Sequence, residues 1–342
     1  MKAVVLESTG KAENLIYKDV PTPELVDSQS VLIKIKACGV AYRDIIERQG
    51  GHPLLKTPII QGHEFSGEVI AVGRDVRRWK IADRVINRYT DSCGHCDECV
   101  GGDERRCVHL TQMYGLTTDG GYAEYAVLHE RGLERLQQGI SFEEGACIMS
   151  AVAVAYHNVH NRIKARPGED VLLTGASGGV GLAALQFLKL IGCTVWAVTS
   201  SEKKVNTLKE WGADHVIVND GKDIHKSIRA IKPFGLDCAI DCVGSTTLVS
   251  TLKSVKRLGR IAVIGTISPE PVHLNLGTLV VNGLTVMGSD GNTRQAIREA
   301  MSMVEAGKIK ICIDKTLSLS EAASAHRILE NREAVGRIVL IP

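Results

Sequence analysis

Apolar and polar positions follow two different rhythms along this chain. In the first third, Val31-Leu32-Ile33-Lys34-Ile35-Lys36 alternates as a half-buried strand does, and Gly67-Glu68-Val69-Ile70-Ala71-Val72-Gly73 reads as a second short strand bounded by glycines. In the middle third the apolar residues gather into short unbroken runs at 171–173, 194–198, 215–218, 236–240 and 260–264. A helix-length stretch separates each run from the next, and that alternation predicts a parallel sheet covered on both faces. A helix over 293–306 then leads into mixed strand and helix as far as 342. The pattern gives an α/β chain. A doubly wound domain, 151–290, is inserted into a β-rich one made of 1–150 and 291–342.

Composition narrows this picture. A chain of 342 residues suits two domains, at about 100–200 residues each. With 44% apolar residues, disorder is excluded, and a net charge of +2 advertises no basic face for nucleic acid or a membrane surface. The longest weakly polar run, 146–156, is 11 residues, against the ~18–20 needed to cross a bilayer. Met1-Lys2-Ala3-Val4-Val5 lacks the pattern of a signal peptide, so a cytoplasmic address is expected. Ten cysteines in such a chain suggest metal binding or chemistry rather than disulfides.

The run at 171–173 leads into Gly175-Ala176-Ser177-Gly178-Gly179-Val180-Gly181 and then an apolar helix, 182–191. A strand, a glycine turn and a helix together aim backbone N–H groups and the positive helix end at a pyrophosphate. Missing side chains let the phosphates approach, and Gly181 lets helix and strand pack closely. Close packing alone would use the same glycines, but the place of the turn, in the first βα unit of the alternating domain, favours a dinucleotide.

The next run ends Val198-Thr199-Ser200-Ser201-Glu202-Lys203-Lys204. A site for NAD usually carries Asp or Glu there, for the ribose 2′-hydroxyl. Here the position is Thr199, and Ser200, Ser201 and Lys204 follow. Hydroxyls and ammonium groups suit a 2′-phosphate that a carboxylate would repel, so NADP(H) is expected. Capping of the following helix by Ser200 or Ser201 is compatible with the same residues.

Cys93, Cys96, Cys99 and Cys107 are spaced C-x2-C-x2-C-x7-C within a lobe at about 91–108. Four thiolates so spaced can close a tetrahedral zinc with no open position, which makes the site structural. An iron–sulfur cluster or idle thiols would use the same residue type. His95, inside the lobe, is read as a bystander.

These motifs, with Gly62-His63-Glu64-Phe65-Ser66-Gly67, Gly73 and Asp83-Arg84-Val85 in the same order, closely resemble the medium-chain, zinc-type alcohol dehydrogenase superfamily over essentially the whole chain. The resemblance implies a GroES-like β-rich catalytic domain around a Rossmann dinucleotide-binding domain. It also implies one structural zinc per chain, nicotinamide chemistry on a small molecule, and a homodimer or homotetramer paired through the last cofactor-domain strand (284–287).

The resemblance breaks at the second, catalytic zinc. Where relatives that oxidise alcohols have a cysteine ligand and a relay hydroxyl, this chain reads Cys38-Gly39-Val40-Ala41-Tyr42-Arg43-Asp44, with Ala41 and Arg43 in those places. A further cysteine usually lies six residues before a tyrosine that opens the next helix, and counting back from Tyr156 lands on Ser150. His63 alone remains of the three usual ligands, unless Cys38 or Cys147 stands in after a register shift. Zinc-free members of the superfamily reduce activated C=C bonds, and Tyr42-Arg43-Asp44 with the Gly175–Gly181 turn look like the acryloyl-CoA reductase branch, with quinone oxidoreductases nearby. The expected reaction is NADPH-dependent hydride transfer to an enone, quinone or 2-enoyl thioester without a catalytic zinc. The alternatives are an NADP-dependent alcohol dehydrogenase or carbonyl reductase with an altered metal site, and a non-catalytic NADPH-binding protein.

Four residues are candidates for the chemistry. By family register Arg43 starts beside the substrate and would stabilise an oxyanion, or else bridge to Asp44 or a cofactor phosphate. Asp44 and His63 would remain as a pair in which His63 is free to donate a proton. Tyr89, four residues before Cys93, matches a pocket-lining aromatic. For the cofactor, Arg337 matches a pyrophosphate contact, while Cys242-Val243 and Ile264-Gly265-Thr266 occupy strand ends that line the nicotinamide.

Overall fold

Strand Ser30–Val40 organises the first unit of the chain. Its alternation holds as far as Ala37: Val31, Ile33, Ile35 and Ala37 are buried, while Leu32, Lys34 and Lys36 face outward. Beyond Ala37 both faces are covered. On one side it pairs antiparallel with Phe65–Val72, and on the other first with Tyr125–His129 and then with Arg337–Ile341. Strands Arg84–Asn87 and Leu133–Arg135 extend the sheet at one edge, and Ile313–Ser318 extends it at the other. A three-stranded sheet of Leu15–Asp19, Lys2–Leu6 and Ile59–Ile60 and a two-stranded one of Thr90–Asp91 with Gln112–Met113 also belong to the unit.

The computed structural model describes every residue except Thr111, Pro269 and Asp290. It divides into Met1–Ser150 with Ile313–Pro342, and Ala151–Cys312. The second unit therefore ends at 312, where the sequence reading closed the inserted domain at 290. Helix Arg294–Glu305 buries Ala296, Ile297, Ala300, Met301 and Val304 along one stripe and packs against Ala153–Tyr156, which keeps it in the second unit.

The second unit holds six parallel strands: β1 (Asp170–Thr174), β2 (Thr194–Thr199), β3 (His215–Val218), β4 (Leu236–Asp241), β5 (Val255–Val263) and β6 (Thr285–Gly288). Their spatial order is β3-β2-β1-β4-β5-β6, so the connections change direction between β1 and β4. In open α/β sheets ligands bind at such a reversal, outside the carboxyl ends of the strands. The unbroken apolar runs are explained by burial: Val171, Leu172 and Leu173 are fully enclosed, as are Cys238, Ala239 and Ile240. The edge strands β3 and β6 are half-exposed. No described helix is long and apolar enough to cross a membrane.

Candidate functional site

Register brings three distant segments together in the first unit. Cys38 faces Phe65 and Val40 faces Ile338, so Ala41, Glu64 and Arg337 leave their strands side by side. Arg337 and Glu64 form a buried ion pair, the Ser150 hydroxyl donates to Glu64, and Arg337 Nη2 donates to Ser150 Oγ at 2.6 Å. Burial lowers the Arg337 pKa to about 10. Its Nε is buried without a hydrogen-bond partner among the described residues, which leaves a donor for a further group.

Helix Tyr42–Arg48 starts at Ala41, whose N–H is capped by the Asp44 carboxylate at 2.8 Å. That side chain is fully buried. His63 Nδ1 donates to Asp44 Oδ1 at 2.7 Å, and Tyr122 donates to Asp44 Oδ2 at 3.3 Å. Burial opposes the carboxylate, but the His63 charge and hydrogen bond, with His326 and the Ala41 N–H, hold the Asp44 pKa below the usual range. His63 Nε2 has no protein hydrogen-bond partner among the described residues. The motif glycine, Gly62, sits at φ +93°, and a Cβ there would lie 2.5 Å from the Tyr122 ring. Glycine is thus what lets Tyr122 reach Asp44.

Arg43 and Tyr89 form the partly exposed side of this group. The guanidinium lies 4.0 Å from the centre of the Tyr89 ring and donates to its hydroxyl, while Arg43 Nε donates to Glu47 Oε1 at 2.6 Å. The Tyr89 ring stands edge-to-face with His63 at 5.8 Å. Burial pushes the Tyr89 hydroxyl up to about 12, with Arg43 acting in the opposite sense. The sequence reading offered Asp44 as an ion-pair partner for Arg43. The partner is Glu47 one helical turn on, because Asp44 is occupied by Ala41, His63 and Tyr122.

The structure therefore gathers Arg43, Asp44, His63 and Tyr89 into one cluster, with Glu47, Tyr122 and His326 added to it. Cys38 donates to the Glu64 carbonyl and Cys147 to the Glu143 carbonyl, so both point into the core as packed thiols. Tyr156 lies within a continuous helical stretch from Ile148 to Arg162 rather than at the start of a helix. Ser150 sits in a π-helical turn of that stretch, a local form often found at functional positions.

In the second unit the cofactor candidates collect at the carboxyl ends of β1, β2, β4 and β5. Gly175 turns at φ +61° and helix Gly179–Ile191 starts at Gly178 with no side-chain cap, so its first N–H groups face outward as an anion site requires. A Cβ on Gly181 would lie 2.4 Å from the Gly175 carbonyl oxygen. These features fit a dinucleotide pyrophosphate.

Asp241 braces the neighbouring loops. It accepts from Thr174, Thr247 and Thr251 and from the N–H groups of Val243 and Gly244, which ties the ends of β1 and β4 together. Val243 in turn accepts from Ile267 N, drawing the segments 242–244 and 264–266 into one surface. Thr199 ends β2 and its hydroxyl accepts from Ser201 N at 3.3 Å. Ser201 holds the N-cap position of the turn Glu202–Lys204, yet its side chain makes no capping bond. Arg337 belongs to the first unit.

The zinc lobe is formed by Cys93, Cys96, Cys99 and Cys107, whose sulfurs all lie within 4.8 Å of one another. Zn–S bonds of ~2.3 Å in a tetrahedron place sulfurs about 3.8 Å apart, and the Cys93–Cys99 and Cys96–Cys107 separations are both 4.0 Å. Backbone N–H groups, first that of His95 and then that of Cys96, bring the Cys93 thiol down to about 6, while burial and the neighbouring sulfurs push Cys99 up to about 12. The donor set therefore fits a closed structural zinc. His95 is exposed and stacked on His109.

Comparison with known proteins adds the following. The zinc-binding dehydrogenase family matches residues 179–306, and the alcohol dehydrogenase GroES-like domain matches residues 27–138. An acryloyl-coenzyme A reductase of Sulfurisphaera tokodaii is 32% identical over 100% of both chains. An alcohol dehydrogenase of Geobacillus stearothermophilus is 34% identical over 92% of each. The solved structure of AibC is 42% identical with a TM-score of 0.91, covering 100% of this chain and 96% of that one.

Proposed function

The chain belongs to the medium-chain, zinc-type alcohol dehydrogenase superfamily, and from that membership we propose that this oxidoreductase is an NADPH-dependent reductase of activated C=C bonds that works without a catalytic zinc. Its substrate class is α,β-unsaturated carbonyl compounds: enones, quinones or 2-enoyl thioesters. The observation that carries the reading is the cluster of Arg43, Tyr89, Asp44 and His63; Ala41 and Ser150 stand where the resemblance would put two of three metal ligands. Alcohol oxidation by the family relies on a metal to stabilise an alkoxide. Reduction of a C=C bond needs only that charge on the carbonyl oxygen be stabilised, which positioned donors can do.

Gly175, Ser177, Gly178, Gly179 and Val180 would hold the cofactor pyrophosphate. Cys242, Val243, Ile264, Gly265 and Thr266 would line the nicotinamide, and Thr199, Ser200, Ser201 and Lys204 would take the 2′-phosphate. The nicotinamide, when bound, supplies a hydride to the β-carbon. As negative charge gathers on the carbonyl oxygen, Arg43 and the Tyr89 hydroxyl donate to it. Glu47 holds the guanidinium in place. The α-carbon then takes its proton from His63 Nε2, while Asp44 accepts from Nδ1 on the other side of the ring.

Ten cysteines without a disulfide suit a reducing compartment, in keeping with a cytoplasmic enzyme. Edge strand β6 and the exposed Leu258, Leu276, Val280 and Val281 form an apolar face suited to a second copy of the chain, giving a dimer or a pair of dimers.

Isotope labelling tests the reaction. With NADPH deuterated on the transferred position, the product is expected to carry deuterium at the β-carbon and a solvent proton at the α-carbon. Deuterium on a carbinol carbon would instead show carbonyl reduction.

A further inference from the structure

The Asp44 carboxylate is the middle of a longer buried chain. Tyr122 lies between Asp44 Oδ2, at 3.3 Å, and His326 Nε2, at 3.0 Å, with its ring edge-to-face against His326 at 5.8 Å. His326 comes from helix Ala322–Glu330, is fully buried, and has no hydrogen-bond partner at Nδ1 among the described residues. Neither Tyr122 nor His326 has a part in the reaction as described above.

A phenol has one proton, so only one of its two neighbours can receive it. If His326 Nε2 accepted that proton, Tyr122 would turn oxygen lone pairs toward an anionic carboxylate oxygen. His326 would also carry its own proton on Nδ1, as a buried N–H with no acceptor. The opposite polarity has neither fault. His326 Nε2–H donates to Tyr122, Tyr122 donates to Asp44, and only an imidazole lone pair is left unmatched. Burial supports this arrangement by lowering the His326 pKa to about 4, which keeps the ring neutral. Tyr122 is likewise raised well above the usual phenol range, chiefly by burial, and keeps its proton.

We propose that Tyr122 and His326 are positioning residues for the reduction: their hydrogen bonds run from His326 through Tyr122 to Asp44, and the carboxylate so fixed keeps a proton on His63 Nδ1 and turns His63 Nε2 to the substrate. The role of His63 rests on the reading given above, whereas the polarity of the chain does not. His326 fixes the direction of the Tyr122 hydroxyl, Tyr122 restrains Asp44, and Asp44 orients the imidazole that supplies the proton. A side chain at residue 62 would close the space that Tyr122 needs, so the motif glycine serves this chain as well.

Nitrogen-15 NMR of histidine-labelled protein without substrate reads the polarity directly. The expected result is a neutral His326 protonated at Nε2 and a His63 protonated at Nδ1. Finding His326 protonated at Nδ1 would overturn the proposal whatever reaction the enzyme catalyses. Tyr122→Phe keeps the ring and removes one hydroxyl. It is expected to shift the His63 Nδ1 proton downfield and lower kcat about 10-fold with KM unchanged, as loss of an outer hydrogen-bond partner does elsewhere. His326→Gln, which can place an N–H near Nε2, is expected to retain kcat, and His326→Leu to lose it as Tyr122→Phe does. An unmoved His63 proton with unchanged kcat in both Tyr122→Phe and His326→Leu would overturn the positioning role. The stated tautomers in a protein that reduces no activated C=C bond would instead overturn the assigned reaction and leave the chain polarity standing.

Discussion

The Arg43 guanidinium lies 4.0 Å from the centre of the Tyr89 ring and donates to that ring's hydroxyl. One cation is thereby joined to one phenol, with Glu47 holding the other side of the guanidinium. If the pair stabilises charge on a substrate oxygen, Arg43→Ala should lower kcat by roughly 10²–10³-fold, the usual cost of removing such a donor. Arg43→Lys should recover only part of it, since an ammonium cannot serve Glu47 and Tyr89 in one plane. Steady-state kinetics on an enone check both.

The cofactor preference can be tested separately from the reaction. Thr199→Asp should weaken NADPH binding by on the order of 100-fold and leave NADH nearly unaffected, since a carboxylate repels a 2′-phosphate. Lys204→Ala should act in the same direction with a smaller effect. Titration of intrinsic fluorescence with each dinucleotide measures this. Equal effects on the two cofactors would remove the assignment.

Acid stability should carry the signature of His326. Its pKa is lowered from 6.5 to about 4 by burial, with Asp44 opposing and Arg48 reinforcing the shift. The unfolded chain therefore binds a proton that the folded chain refuses throughout that window. Stability contributed by the neutral ring is complete above pH 6.5 and is lost as pH falls toward 4, amounting to ~3 kcal/mol. Urea denaturation at pH 7 and pH 4.5 should show a smaller fall for His326→Phe than for the parent.

The lobe should hold its metal independently of catalysis. Cys107→Ser should release zinc and destabilise the first unit by ~3 kcal/mol, or about 6–12 °C in thermal midpoint for 150–250 residues. Cys38→Ser, outside the lobe, should leave the zinc content unchanged. Metal analysis with calorimetry on the two variants distinguishes them.

What could be read in advance was what local pattern encodes. The buried strands β1, β2 and β4 announced themselves because full burial demands unbroken apolar runs. The start of β5 did not, because Lys256, Arg257 and Leu258 are exposed and spell no apolar run. The domain boundary at 312 depended on which unit helix Arg294–Glu305 packs against, and its stripe says only that it packs. At the site, Arg43 and Glu47 are one helical turn apart and could have been paired by spacing. Tyr122 and His326 are 204 residues apart and meet only through the fold. The π-helical turn that carries Ser150 has no sequence signature of its own.

Reduction of a C=C bond by a protein with a single, structural zinc joins two quantities that one sample can report. The most direct measurement is zinc content and NADPH oxidation on one purified sample, offered a 2-enoyl thioester, an enone, an aldehyde and a secondary alcohol with NADP⁺. One zinc per chain is expected, with saturation of an activated C=C bond at least about 100-fold faster than carbonyl or alcohol turnover, because no metal stabilises an alkoxide. Two zinc ions per chain with alcohol oxidation as the faster reaction would contradict it.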